Sequence, residues 1–142
     1  ASPYSEAGTA IPPLEIVNNG GQNKTISARY SYGTDVSNSG DVQPGDVNQL
    51  FTFSVNEGTD AGTAGGKVSP DPAEGNLANG TNANNSVTIN SGEAATVDLT
   101  LNYSSDLEDK ISSAAGSSSY DFASSDFSSV DLLNTVTFGE VQ

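Results

Sequence analysis

Apolar and polar side chains alternate most clearly between residues 85 and 103. Every second residue from Val97 to Tyr103 is apolar, and the residues between them are polar. A period of two is typical of a β-strand with one buried and one solvated face. A shorter alternating run, residues 86–90, precedes it, and the turn-forming Ser91-Gly92-Glu93 separates the two runs. The pattern predicts two neighbouring strands of an antiparallel sheet.

Similar runs predict further strands, at residues 14–17, 25–32, 50–55 and 132–141. Turn-forming residues separate several of them, as at residues 18–21 and at Pro44-Gly45-Asp46. About six to eight short strands with turns between them predict an all-β protein, either a jelly-roll or an immunoglobulin-like antiparallel β-sandwich.

Other structure is expected in only a few places. Residues 105–108 match a helix N-terminal capping box, which predicts one short helix from Asp106 to about Ala115, closed by Gly116. The sandwich is therefore expected to contain at most one short helix. The prolines in residues 1–13 favour an extended N-terminal arm, and residues 14–142 are expected to form a single domain. Residues 56–83 predict a long polar loop.

The charge of the chain restricts its partners. The chain has 18 acidic and 4 basic residues, for a net charge of −14. Nucleic acids and anionic membrane surfaces are not expected to bind, because both require Lys and Arg side chains. No apolar run is long enough to be inserted into a membrane. Ala1-Ser2-Pro3 is similar to the mature side of a signal-peptide cleavage site, so we expect an extracellular or cell-surface protein.

The composition also argues against catalysis. The chain has no His, Cys or Trp, so it lacks the usual general base near neutral pH and the usual nucleophile pairs. We therefore expect that the protein is not an enzyme and has no cofactor, with Ca²⁺ as the one ion for which it has enough oxygen ligands. The candidate ligands are Asp60, Asp71 and Glu74, although acidic loops that face solvent have the same composition. Two more acidic clusters lie at residues 35–46 and 106–109.

Two other kinds of candidate site follow from side-chain type. Asn-X-Ser/Thr sequons make Asn23, Asn79, Asn84 and Asn102 glycosylation candidates. Tyr30, Tyr32 and Tyr103 have the chemistry of a sugar-stacking platform. Their phase in the alternating runs favours core packing instead.

Unprotected strand edges point to self-association. Monomeric sandwiches protect their edges with Lys, Pro or bulges, and this chain has little Lys. An N-terminal arm or a C-terminal strand is suited to pair with the open edge of another copy, although both termini packing on their own sheet fits the sequence equally well. The interface candidates are the apolar residues of these segments: Tyr4, Ile11, Leu14, Ile16, Val136, Phe138 and Val141.

Three short motifs resemble a known family. Residues 1–7 (ASPYSEA) are similar to the mature start of TasA/camelysin-type proteins, and residues 41–46 (DVQPGD) before a strand are similar to their turn-strand element. Residues 90–97 (NSGEAATV) match an element common to secreted sandwich domains. The resemblance implies a secreted jelly-roll-like subunit that polymerises into biofilm or pilus-like filaments by donating an N-terminal strand.

Two functional hypotheses follow. The first is a structural subunit of an extracellular filament or surface layer, which polymerises with copies of itself by strand complementation through a terminal segment. The second is a monomeric carbohydrate- or calcium-binding sandwich module of a larger secreted protein. Self-association distinguishes the first, and saturable ligand binding distinguishes the second.

Overall fold

The computed structural model describes residues 5–6, 9–10, 14–56, 65–73, 85–116 and 130–141. The predicted strands at residues 14–17, 25–32, 50–55 and 132–141 are confirmed to within one residue at each end. In chain order the described elements are β1 (Ser5–Glu6), β2 (Thr9–Ala10), β3 (Leu14–Val17), β4 (Lys24–Tyr32), α1 (Pro44–Leu50), β5 (Phe51–Val55), β6 (Gly66–Lys67), β7 (Val87–Ile89), β8 (Ala94–Leu101), α2 (Ser105–Ala114) and β9 (Leu133–Glu140).

The strands form two larger sheets, in which every pair of strands is antiparallel. Sheet I has the strand order β3-β8-β5-β6, and sheet II has the order β7-β4-β9. Strands β1 and β2 pair with each other and belong to neither sheet. The prediction of a mainly β protein built from antiparallel sheets is confirmed.

Aromatic side chains from both sheets meet in a shared core. Tyr30 on β4 is 1% exposed, and its ring packs edge-on against Phe53 on β5 with the centroids 6.1 Å apart. Phe53 also packs edge-on against Phe138 on β9, at 5.4 Å. The Tyr30 hydroxyl donates to the main-chain carbonyl of Phe51 at 2.6 Å. Each ring pair contributes about 0.5–1.5 kcal/mol beyond area burial, so these contacts hold the two sheets face to face.

Residues 65–70 join the two sheets along one side. Strand β6 pairs with β5 in sheet I. Just after it, the N–H of Val68 donates to the carbonyl of Phe53 at 3.0 Å, and the carbonyl of Val68 accepts the N–H of Ala28 in sheet II at 2.8 Å. The Val68 side chain is fully buried. The predicted polar loop at residues 56–83 therefore contains a strand and a core residue, while residues 57–64 and 74–84 lie outside the described part of the chain.

The strands on either side of Ser91-Gly92-Glu93 are not neighbours, so that prediction is wrong. Strand β7 pairs with β4 in sheet II, whereas β8 pairs with β3 and β5 in sheet I. Gly92 has a φ of 79°, which glycine adopts without a steric penalty. The turn carries the chain from one sheet to the other. Alternation identified the buried faces correctly, but it contains no information about which strands pair.

Asn18 ties this turn to the connection between β3 and β4. Its side chain is 7% exposed, and its amide Nδ2 donates to the carbonyls of Gln22 at 2.9 Å and Ile89 at 3.0 Å. Its Oδ1 accepts the N–H of Gly20 at 3.0 Å. The main-chain carbonyl of Asn18 accepts the N–H of Gly92 at 2.8 Å. One amide side chain thus organises two chain crossings between the sheets.

The described residues include two short helices, so the expectation of at most one is wrong. Helix α1 covers the predicted turn, with Pro44 in its first turn, where the missing N–H costs no hydrogen bond. The carboxylate of Asp46 accepts the main-chain N–H of Gln43 at 2.8 Å. Helix α2 is as predicted, except that Ser104 rather than Ser105 caps it, through an Oγ that accepts the N–H of Leu107 at 3.2 Å.

Candidate functional site

Four strand edges lack a partner strand among the described residues: the outer edges of β3 and β6 in sheet I and of β7 and β9 in sheet II. Strands β6 and β7 are only two and three residues long, and they lie on the side where residues 65–70 join the sheets. An unpaired strand edge is a row of free N–H and C=O groups that another chain can pair with. The candidate functional site of this chain is therefore the two longer open edges, at β3 and β9.

The outer edge of β9 is the longer of the two. The N–H of Val141 donates to the carbonyl of Thr25 at 2.8 Å, so odd-numbered residues at this end of β9 direct their main-chain groups at β4. Main-chain groups alternate in direction along a strand. Val136, Phe138 and Glu140 therefore direct their N–H and C=O groups away from β4. The register irregularity lies earlier, opposite Ser31 and Tyr32, and leaves this alternation unbroken.

Over residues 135–140, beyond the register irregularity, this edge lacks the usual protection by Lys, Pro or bulges. Strand β9 contains no Pro or Lys, and its single charged residue is Glu140. The Glu140 carboxylate is bound by Lys24 Nζ at 3.0 Å on the neighbouring strand. An exposed pair of this kind adds little stability, but it cancels the charge of the strand. The outer edge of β9 is thus long and free of net charge in a chain of net charge −14.

The other open edge is shorter. Leu14 pairs with Val97 and Val17 with Ala94, so β3 covers only the first half of β8. Pro12 and Pro13, which precede β3 in the sequence, have no N–H to extend the ladder. The carbonyl of Thr96 accepts the N–H of Asn56, just after β5, so even-numbered residues of β8 direct their main-chain groups at β5. The odd-numbered Leu99 and Leu101, in the second half of β8, therefore direct theirs to the side that β3 does not cover.

Apolar side chains are exposed beside these edges. Leu14 is 53% exposed and Leu101 is 46% exposed. Both are on the same face of sheet I as the buried Val97, since Leu14 is its cross-strand partner and Leu101 follows it by four residues. This face points at sheet II, so sheet II leaves part of it uncovered. Leu14 is one of the predicted interface residues, and Leu101 is not among them. The adjacent Pro12-Pro13 is the sequence signal for the short β3.

The other interface candidates fall into different environments. Ile16 is half-buried, and Val136 and Phe138 are half-buried side chains packed against the core. Val141 is 41% exposed, just after β9. Tyr4 and Ile11 lie outside the described residues. The C-terminal strand is thus part of its own sheet, and its side chains Val136 and Phe138 contribute to the core.

The described sequons differ in the state of the amide nitrogen that would carry a glycan. Asn102 Nδ2 donates to the carbonyl of Gln49 at 3.2 Å and to Thr52 Oγ1 at 3.0 Å. Asn23 is exposed, and its Oδ1 accepts the N–H of Ser91 at 3.1 Å. A glycan on Asn102 would displace a hydrogen bond, because it attaches to the nitrogen that donates. A glycan on Asn23 would leave its hydrogen bond in place, because that bond is made by the oxygen. Asn79 and Asn84 lie outside the described residues.

The proposed calcium ligands are described only in part. Asp71 is half-buried, while Asp60 and Glu74 lie outside the described residues. Within the part of the chain that the structure describes, no three acidic side chains come close enough to hold a metal ion. Asp46 and Asp106, from the other acidic clusters, both contact Lys110 Nζ, at 2.7 and 3.4 Å. The hydrogen bond to Asp46 raises the pKa of Lys110 above its ordinary value.

Core packing of the tyrosines is confirmed for the described residues. Tyr30 is buried, and burial raises the pKa of its phenol well above the ordinary value. Tyr32 and Tyr103 are half-buried against the core, and the Tyr32 hydroxyl donates to Asn48 Oδ1 at 2.5 Å. These three rings therefore do not form an open stacking platform.

Comparison with protein families, with curated proteins and with solved structures gives no match. Neither α1 nor α2 has the length and apolar character needed to cross a bilayer, and the described residues contain no other helix.

Proposed function

We propose that the chain is a structural subunit of an extracellular filament or surface layer, and that it assembles by donating its N-terminal segment as a strand to another copy. The observation that carries this proposal is the open outer edge of β9 in a chain whose first two strands belong to neither sheet. We further infer that the two sheets form a sandwich of jelly-roll or immunoglobulin-like topology, because their facing side chains share one core.

The N-terminal segment is a better donor than the C-terminal strand. Strand β9 pairs with β4 at seven residue positions, and donating it would remove Phe138 from the core. Strands β1 and β2 pair at two positions only. A two-stranded hairpin of that size is marginally stable, so little free energy is lost when it opens to pair elsewhere.

The symmetry of such a contact favours a linear assembly. Donor and acceptor are different surfaces of the same chain, so each added copy exposes a new acceptor. A contact of this kind forms an open polymer unless its rotation closes a ring. The main-chain hydrogen bonds give affinity, and side-chain alternation sets the register. No ligand, metal or catalytic group is required for this function.

The test is direct imaging of the full chain. We expect uniform fibres by negative-stain electron microscopy, and a ladder of oligomers on a gel when the sample is not boiled. A variant that replaces residues 1–10 with a Gly-Ser segment of equal length should remain folded by circular dichroism and form no fibres. A monomeric full chain would contradict the proposal, and fibres from the replaced variant would exclude the N-terminal donor.

A further inference from the structure

We propose that the donated segment pairs with the outer edge of β9 and becomes the fourth strand of sheet II. This inference rests on the proposed function, and it adds the location of the acceptor site. The alternative acceptor in the same molecule is the short uncovered edge of β8 at Leu99 and Leu101.

The relative width of the sheets supports β9. Sheet I has four strands and sheet II has three. Because Val68 connects the β6 edge of sheet I to the β7 side of β4, β9 and β3 lie on the opposite side of the core. The exposed Leu14 and Leu101 are on strands at that side and point toward sheet II. A strand added beside β9 would therefore lie over the uncovered part of sheet I.

The length and composition of the N-terminal segment fit this edge. The regular open side of β9 extends over residues 135–140, which is six residues, and the seven residues 5–11 of the donor are long enough to cover it. Alternate donor residues Ala7, Thr9 and Ile11 are small or apolar. In an added strand they would lie on one face, which suits contact with the leucines of sheet I.

Simple extension of β3 would not place the donor beside β9 of its own subunit, because β3 lies in sheet I. Pro12 and Pro13, which precede β3 in the sequence, also have no N–H with which to continue its ladder. A second copy supplies the same segment without this constraint. Charge does not oppose the contact at the edge itself, because Lys24 binds Glu140.

Amide hydrogen exchange tests the acceptor residue by residue. In the dissociated subunit we expect fast exchange at Val136, Phe138 and Glu140, whose N–H groups face outward, and slow exchange at Thr137 and Gly139. In the polymer, all five amides should exchange slowly, with protection of the outward three rising at least tenfold. Protection that instead appears at Leu99 and Leu101 would overturn β9 as the acceptor.

A proline variant of the full chain gives an independent test. Val136→Pro removes an outward N–H that makes no bond to β4, and Val136→Ala removes the same side-chain packing while keeping that N–H. We expect Val136→Ala to polymerise and Val136→Pro to lose at least tenfold in polymer yield, at comparable Tm. If both variants polymerise through the N-terminal segment, the β9 acceptor is wrong and the proposed function stands. If the unsubstituted chain never polymerises, both fail.

Discussion

Replacing Asn18 with alanine isolates the contribution of one buried amide to the connection between the sheets. The substitution leaves the carbonyls of Gln22 and Ile89 and the N–H of Gly20 without their partner. The bond to Ile89 is buried and the other two are partly buried, so water can compensate only in part. With about 1 kcal/mol for each of the three hydrogen bonds, we expect a loss of about 3 kcal/mol.

Urea and thermal unfolding followed by circular dichroism measure this loss. For a domain of this size, about 3 kcal/mol corresponds to a decrease in Tm of about 10 °C. Asn19→Ala is the matched control, because Asn19 is exposed in the same turn and should change stability by less than about 0.5 kcal/mol. Equal effects of the two substitutions would refute the role of the Asn18 hydrogen bonds.

Asn18→Asp tests the same side-chain hydrogen bonds with a group of similar size. A carboxylate in place of the amide would face the carbonyl oxygens of Gln22 and Ile89, which are acceptors like itself. Its pKa should therefore be raised in the folded protein, and ionisation near neutral pH should destabilise the fold more than alanine does. A carboxyl whose pKa is raised in the folded state destabilises the fold when it is ionised. The stability lost at pH 7 should therefore be partly recovered as the pH falls and the carboxyl gains a proton to donate.

Three other predictions concern the loops and the charge. In Gly33→Ala, the new Cβ would overlap the main-chain carbonyl of Asp131, so we expect a loss of about 1–3 kcal/mol in urea unfolding; Gly139→Ala, whose Cβ meets no neighbour, should be nearly neutral. Because the bond to Asp46 raises the pKa of Lys110, its stabilising effect should be present at pH 7 and disappear as the pH rises through the raised pKa. The Tm difference between the unsubstituted chain and Lys110→Met should accordingly shrink above pH of about 10.4; a difference that is constant with pH would contradict this. Finally, repulsion within a chain of net charge −14 should make Tm rise with NaCl, since the screening length falls to about 3 Å at 1 M; a Tm that falls with NaCl would contradict this.

The sequence predicted strands well where a strand has one buried face. Strand β4, in which Ile26, Ala28 and Tyr30 are buried, was located to within one residue because alternation depends on local contact with the core. Pairing was not predictable in the same way. The turn at Gly92 joins two sheets rather than two neighbours in one sheet, and nothing in the alternation of residues 86–90 distinguishes the two cases. Only the hydrogen bonds of Asn18 and the packing of the sheets decide between them.

Helix α1 was not predicted, for a different physical reason. Pro44-Gly45-Asp46 has the composition of a turn, and the same residues suit the first turn of a helix, where proline loses no bond and an aspartate accepts a free N–H. With seven residues, α1 is too short for helical periodicity to outweigh the turn signal. Its stability comes from tertiary contacts, such as the buried Val47 and Leu50.

The candidate site was predictable only in outline. A shortage of Lys indicated unprotected edges, but the sequence does not say which strands are at the edges of the sheets. It therefore grouped Phe138 with Val141 as interface candidates, although Phe138 packs on Phe53 and Val141 is 41% exposed. The exposed Leu101 was missed because its alternation matches that of buried residues. Its exposure results from the smaller width of sheet II, which is a property of the topology.

Charge and edge chemistry point to the same mode of association. A surface with a net charge of −14 repels other copies of itself, so attraction between copies has to come from groups that carry no charge. The outer edge of β9 offers such groups, because its main-chain N–H and C=O groups have no partner strand among the described residues and its one carboxylate is neutralised by Lys24. Repulsion over the remaining surface then opposes contacts that do not make these hydrogen bonds. In the proposed assembly, the acidic composition thus disfavours unspecific aggregation and favours strand addition at this edge.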